Sequence, residues 1–261
     1  MNISFRESCF IEKIPNKEGG FGFLATHKAL KDGTVIKVIR NISLEKESTI
    51  MELLGEKKIE GSGYPIEEYK VDDKLQGFIM SYFPNSYAFD YIINRDMFTH
   101  EERVKAALDC TKQLKEIHNK GFLLNDIALS NSLMDKDGGH LIDFDAVTKN
   151  YPKKAESHYE LALNGKILRP NSNIDKLKHA LTNLSLIYGI NFENIIDDRT
   201  NDVNSLFSLF KRNKEIYNLL YSYLSTDCSK PYFDVLIDSL KDEERIKVES
   251  AKMYRKIHKL V

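Results

Sequence analysis

"LLNDIALSNSLMDKDGGHLIDFDAV", residues 123–147, sets three aspartates and an asparagine at tight, unequal spacings along two short apolar runs: Asp126, Asn131, Asp143 and Asp145. Apolar strands do not keep carboxylates without a partner, because a buried charge costs more than packing returns. The turn "DKDGG" at 135–139 divides the stretch into two strand-like pieces. What these acids hold decides how the rest of the chain is read.

The stretch follows a helical pattern. Residues 101–120 place Val104, Ala107, Leu108, Thr111, Leu114 and Ile117 at helical spacing, with Gly121 positioned to end it. Residues 174–189, 203–225 and 233–260 also read as helices. The first 82 residues differ in character. "GFLATHKAL", "TVIKVI", "PIEEYKV" and "LQGFIMSYF" are short β-rich runs, with "KDG" at 31–33 a hairpin-type turn. One helix interrupts them, "LEKESTIMELLGEKK", expected to bury Ile50, Met51 and Leu54. The expected architecture is α+β: a small β-rich part with one helix (1–82), the connection "FPNS" (83–86), then a larger, mostly helical part reaching 261.

With 261 residues, 42% hydrophobic and 30% charged, the chain has the composition of a globular protein. A formal charge of -1 supplies no general attraction to nucleic acid or anionic membrane, so neither is expected as a partner. Cys9, Cys110 and Cys228 are far apart and fit neither a zinc spacing nor a disulfide framework. The N-terminal "MNISFRESCFIEK" has no basic-then-apolar leader pattern. The expectation is a soluble cytoplasmic protein; a non-standard secretion route would leave no mark in such a sequence.

Four features carry chemistry. Gly19, Gly20 and Gly22 lie between strands rather than before a helix, which disfavours a dinucleotide fingerprint or P-loop. A glycine hairpin can instead bring backbone N–H groups close to phosphates, although a plain surface turn has the same composition. In "TVIKVI", Val35, Lys37 and Ile39 share one strand face. An ammonium among apolar neighbours needs an anion, either a carboxylate or a ligand phosphate. Glu47 precedes Ile50, Met51 and Leu54 by three, four and seven residues and is the preferred partner over Glu45 and Glu52. Asp126, Asn131 and Asp143 are oxygen donors suited to Mg²⁺ with substrate phosphates, and one carboxylate can be left to orient a hydroxyl.

In chain order these features are a glycine hairpin, a strand lysine, a helix glutamate, Asp-x₄-Asn and Asp-Phe. That series resembles the protein-kinase-like superfamily over roughly residues 10–245. The resemblance implies a bilobal fold, with an N-lobe at 1–82 and a C-lobe at 83–261. It implies ATP and Mg²⁺ (or Mn²⁺) as cofactors, with Gly19, Gly20 and Gly22 over the phosphates and Lys37 on them, paired with Glu47. Asp126 takes the catalytic position, and Asn131 and Asp143 the metal positions. Val35, Met80, Ser81, Tyr82 and Phe83 line the adenine site, with Met80 as gatekeeper.

The departures are specific. Leu124-Asn125-Asp126 stands for His-Arg-Asp, Ala128 for the following lysine, Asp145 for the last glycine of Asp-Phe-Gly, and Lys17 for the first glycine of the loop. Only 31 residues lie between Asp143 and Asp175, with no Ala-Pro-Glu among them; "LRP" at 168–170 stands nearby. Choline-kinase-like and aminoglycoside-phosphotransferase-like enzymes and lanthipeptide-synthetase kinase domains share some of these traits. The expected function is γ-phosphate transfer from Mg-ATP to a Ser/Thr hydroxyl of a protein. The alternatives are a non-catalytic pseudokinase or a kinase of small-molecule hydroxyls. His118 and His140 read as core or capping histidines.

Overall fold

The computed structural model describes residues 1–3, 12–19, 22–149, 161–163, 166–168, 171–193, 203–225, 227 and 229–257. Cys9, Gly20, Arg169, Pro170 and Cys228, singled out above, and residues 258–260, assigned to the final helix, lie outside that set. The fold is α+β.

Alternation along "TVIKVI" organises a six-stranded sheet. Strands β1 (Asn2–Ile3), β2 (Glu12–Gly19), β3 (Gly22–Thr26), β4 (Thr34–Ile39), β5 (Glu67–Val71) and β6 (Lys74–Ser81) lie in the order β1-β5-β6-β4-β3-β2. All neighbours are antiparallel except β1 with β5. The β5–β6 turn is Asp72-Asp73, both at positive φ (47° and 62°), the twist that a two-residue hairpin turn needs. On β4, Val35 and Ile39 join the larger core on one face, and Ile36 packs with Ala25, Tyr69 and Ile79 on the other.

Helix α1 (Leu44–Gly55) puts Ile50 and Leu53 into the same core cluster as Val35 and Ile39 of β4. Ser43 caps it, its hydroxyl accepting from the Lys46 N–H at 3.2 Å. Its buried residues are Ile50 and Leu53, with Leu54 partly buried, whereas Met51 is 42% exposed. The inward face is therefore turned by a fraction of a step from the one expected from Ile50, Met51 and Leu54. Leu53 wins because Tyr64 stands over it, donating its hydroxyl to the Leu53 carbonyl at 2.9 Å.

After β7 (Tyr87–Ala88) and the single turn α2 (Phe89–Ile92), which the sequence reading did not anticipate, comes α3 (His100–Asn119). A Thr99/Glu102 capping box starts α3, and Gly121, at φ 81°, leaves it. Short strands follow: β8 (Phe122–Leu123), β9 (Ser132–Met134), β10 (Gly139–Leu141) and β11 (Thr148–Lys149). β9 and β10 form the hairpin expected around "DKDGG", and Asp135 closes it by accepting the Asp137 and Gly138 N–H groups. Beyond β12 (Leu161–Leu163) and β13 (Lys166–Leu168), α4 (Ser172–Tyr188) is buried along nearly its whole length.

The expected helix over 203–225 is two, α5 (Val203–Leu209) and α6 (Lys214–Ser222), because Asn213 caps a new start by accepting from Ile216 N–H. The expected helix over 233–260 also breaks. A short helical turn precedes α7 (Ile237–Leu240), and Asp242 starts α8 (Glu243–Ile257) by accepting from Arg245 N–H. One core cluster lies among α4–α8; another runs from β4 and β6 through α1 and α3 to Leu124 and Phe144, crossing residue 82 without a break.

Gly77 faces Val38 across β4–β6, and a Cβ there would lie 1.9 Å from the Lys37 carbonyl oxygen. Gly77→Ala is expected to cost about 2–3 kcal/mol through this overpacking, read as a lower urea midpoint with an unchanged m-value.

Candidate functional site

Two loops carry the acids of the opening stretch, and the short strands press them together at both ends. Residues 124–131 run from β8 to β9, and residues 142–147 from β10 to β11. β8 pairs with β11 and β9 with β10, and the Ile142 N–H reaches the Asn131 carbonyl at 3.0 Å. The Asn131 side-chain amide donates to the Asp126 backbone oxygen and to its Oδ2, both at 3.0 Å. The Lys37 ammonium, 106 residues earlier, reaches Asp143 Oδ1 at 2.7 Å. Lys37 with Asp143 and Asn131 with Asp126 are thus two bonded pairs, and the Ile142–Asn131 backbone bond links the loops that carry them.

The loop bearing Asp126 is held mainly through its neighbour. Asn125 has φ 63°, a left-handed conformation that Asn tolerates better than most residues. Its N–H and that of Leu124 donate to Asp175 of α4, at 3.2 and 2.7 Å. Its carbonyl accepts from Lys178 Nζ at 3.0 Å, and its amide donates to Ala146 O at 2.8 Å and Thr148 Oγ1 at 2.9 Å. Asp175 is 1% exposed and also accepts from His118 Nε2 at 3.1 Å, while His118 Nδ1 accepts from the Tyr232 hydroxyl at 2.8 Å. His118 and His140 both act structurally; His140 stacks on Phe83 with ring centroids 4.1 Å apart and bonds Gly61 O and Asp135.

The pairing expected for Lys37 is not the one observed. Lys37 is bonded to Asp143 and lies 3.5 Å from Asp145 Oδ2, and among the described residues Glu47 makes no ion pair. Glu47 sits in the first turn of α1, its N–H spent on the Ser43 carbonyl, where its charge favours the helix dipole. Glu52, one of its rivals, pairs with Lys149 at 2.6 Å.

The three charges tune one another. Burial opposes the Lys37 charge, but Asp143 and Asp145 outweigh it and hold its pKa above the ordinary lysine value. Burial also opposes ionisation of Asp143; Lys37 and a hydrogen bond from Asp145 overcome it and bring that carboxyl below its usual range. Asp145 is pushed up to about 6, first by burial and then by the Asp143 charge. The proton of this acid pair therefore belongs to Asp145. Asp145 Oδ2 is buried and has no hydrogen-bond partner among the described residues.

The residues expected to line an adenine site are placed along β4, β6 and the turn after β6. Val35 and Met80 pair across β4 and β6 and are buried at 2% and 4% exposure. The Tyr82 N–H is spent on Gly33 O at 2.9 Å, so Tyr82 offers a ligand no donor from its backbone. Ser81 faces Thr34 one position from that bond, so its own N–H and carbonyl point away from β4. The Phe83 N–H has no partner among the described residues, and its carbonyl is taken by Ser86. One acceptor at Ser81 and one donor at Phe83 can read the edge of a flat heterocycle. Gly19 and Gly22 are register partners at the turn between β2 and β3. Asp143 and the Asn131 amide oxygen are hard-oxygen donors of the kind a divalent cation takes when ligand and water oxygens complete its shell, and Asp145 stays on the lysine.

Reading the residue types alone missed Asn125, Lys178 and Asp145 as the groups that fix the loop and the lysine. No family model matches this chain, and no curated protein matches it.

Two outcomes follow. Asp175→Ala removes the acceptor of two buried N–H groups and is expected to destabilise by about 3 kcal/mol, read by urea denaturation. Asp145 binds a proton more tightly folded than unfolded, so its contribution to stability is full below pH 4 and declines as pH rises to about 6. Asp145→Asn should flatten that part of the stability–pH curve.

Proposed function

We propose that this chain is a divergent protein-kinase-like phosphotransferase that moves the γ-phosphate of ATP to a hydroxyl, most readily of a protein Ser or Thr. In this reading residues 1–82 form the N-lobe and 83–261 the C-lobe of a bilobal fold. The observation that carries it is the 2.7 Å Lys37–Asp143 ion pair beside an Asn131 that grips Asp126. The two carboxylates and the amide sit on loops joined by short strands, and the lysine comes from 106 residues earlier in the chain, which supports this reading.

Lys37 neutralises phosphate charge, and the Ser81 carbonyl and Phe83 N–H orient the base. Asp143 and the Asn131 oxygen would hold Mg²⁺. A bound Mg²⁺ supplies charge neutralisation on the phosphates. Asp126, oriented by Asn131, accepts the proton as the acceptor oxygen bonds to phosphorus and the bond to the β-phosphate oxygen breaks. Acceleration here is positioning and electrostatics, which these residues can supply. Glu47 standing away from Lys37 favours a second reading, a nucleotide-holding module without transfer.

Labelled ATP with Mg²⁺ and a complex lysate separates the two. Transfer by the wild type, reduced about 10²–10⁴-fold in Asp126→Ala and lost with chelator, is expected. Equal background labelling from both proteins contradicts transfer. Turnover of amino-alcohols or aminoglycosides with none on protein reassigns the acceptor.

A further inference from the structure

We propose that Asp145 is the positioning residue for Lys37, taking the ammonium when Asp143 turns its oxygen to a divalent cation, so that the lysine needs no partner on helix α1. This rests on the phosphotransferase reading above.

Lys37 Nζ has two carboxylates within reach, at 2.7 Å and 3.5 Å, both from the segment 143–145. A cation binding at Asp143 competes for the first of them. The second is already in place: Asp145 is 4% exposed, and its Oδ2 lacks a hydrogen bond among the described residues. A shift of less than about 1 Å brings that oxygen into hydrogen-bond range of the ammonium.

The Asp145 backbone is fixed on both sides, so the carboxylate cannot swing to water. Phe144 packs edge-on against Tyr64, with ring centroids 5.4 Å apart, and the Ala146 carbonyl is bonded by Asn125. From α1 the charge felt by this acid pair is that of Lys46, a cation. Glu47, on the same helix turn, makes no ion pair among the described residues. Asp145 thus does from the Asp-Phe-Asp segment what a helix carboxylate would otherwise do.

The test begins without metal or nucleotide. Two double-mutant cycles at pH 7.5 are read as urea midpoints, Lys37→Met with Asp145→Asn and Lys37→Met with Glu47→Gln. Non-additive midpoints are expected for the first cycle and additive ones for the second. Additivity in the first, or equal coupling in both, overturns the proposal. If Asp145→Asn does not fold, Asp145→Gly replaces it in the cycle. With Mg-ATP, Asp145→Asn is expected to raise the KM for ATP about tenfold with a smaller change in kcat. An unchanged KM also overturns it. Absence of any transfer by the wild type would count against the phosphotransferase reading alone, because the cycles need no substrate.

Discussion

A lysine ammonium placed on the inner face of a β-strand must be paired, and that requirement organises this protein. Lys37 is 9% exposed and lies between Val35 and Ile39, both in the core. Water reaches it poorly, and its charge persists because Asp143 and Asp145 meet it from a segment 106 residues further along the chain. Removing either side leaves an uncompensated charge in a poorly solvated place. The sheet, which brings the lysine, and the loop, which brings the acids, are therefore held in register by electrostatics as well as by the shared apolar cluster.

The acids can be presented only because their loops are pinned. Asn125 and Asp143 both sit at positive φ (63° and 66°), conformations that L-residues adopt at a cost. Around Asn125 the cost is offset by hydrogen bonds to Asp175, Lys178, Ala146 and Thr148. Around Asp143 the offsets are the Lys37 pair and the packing of Phe144 on Tyr64. The buried helix α4 acts as the anchor, since Asp175 ties the start of the first loop to His118 on α3. The loop backbone on the side of the acids is thus held at several points.

Much of this was legible from residue patterns. Alternation in "TVIKVI" placed Lys37 on the same face as Val35 and Ile39, "DKDGG" marked the β9–β10 hairpin, and helical spacing with Gly121 bounded α3. Misreadings arose where tertiary contacts overrode periodicity. Met51 and Leu53 lie about 200° apart around the helix on either side of Ile50, so only one can turn inward, and Tyr64, which bonds the Leu53 carbonyl, stands on the Leu53 side. Asn213 and Asp242 break helices that spacing alone joined, because a capping side chain can start a new helix without disturbing the apolar pattern. The partner of Lys37 was misassigned for a similar reason. Helix position suggested Glu47, but the distance between two segments 106 residues apart is invisible to a linear reading. Asn125 looked like the loss of an arginine and proves to hold its loop with four hydrogen bonds.

The phosphotransferase account stands or falls on whether this cluster grips a metal-bound triphosphate. Calorimetric titration of the wild type and Lys37→Met with a non-hydrolysable ATP analogue, in Mg²⁺ and then in chelator, measures that grip directly. The account predicts saturable one-to-one binding that weakens about tenfold or more without Mg²⁺ or without the lysine amine. No binding heat, or an affinity indifferent to both changes, would contradict it.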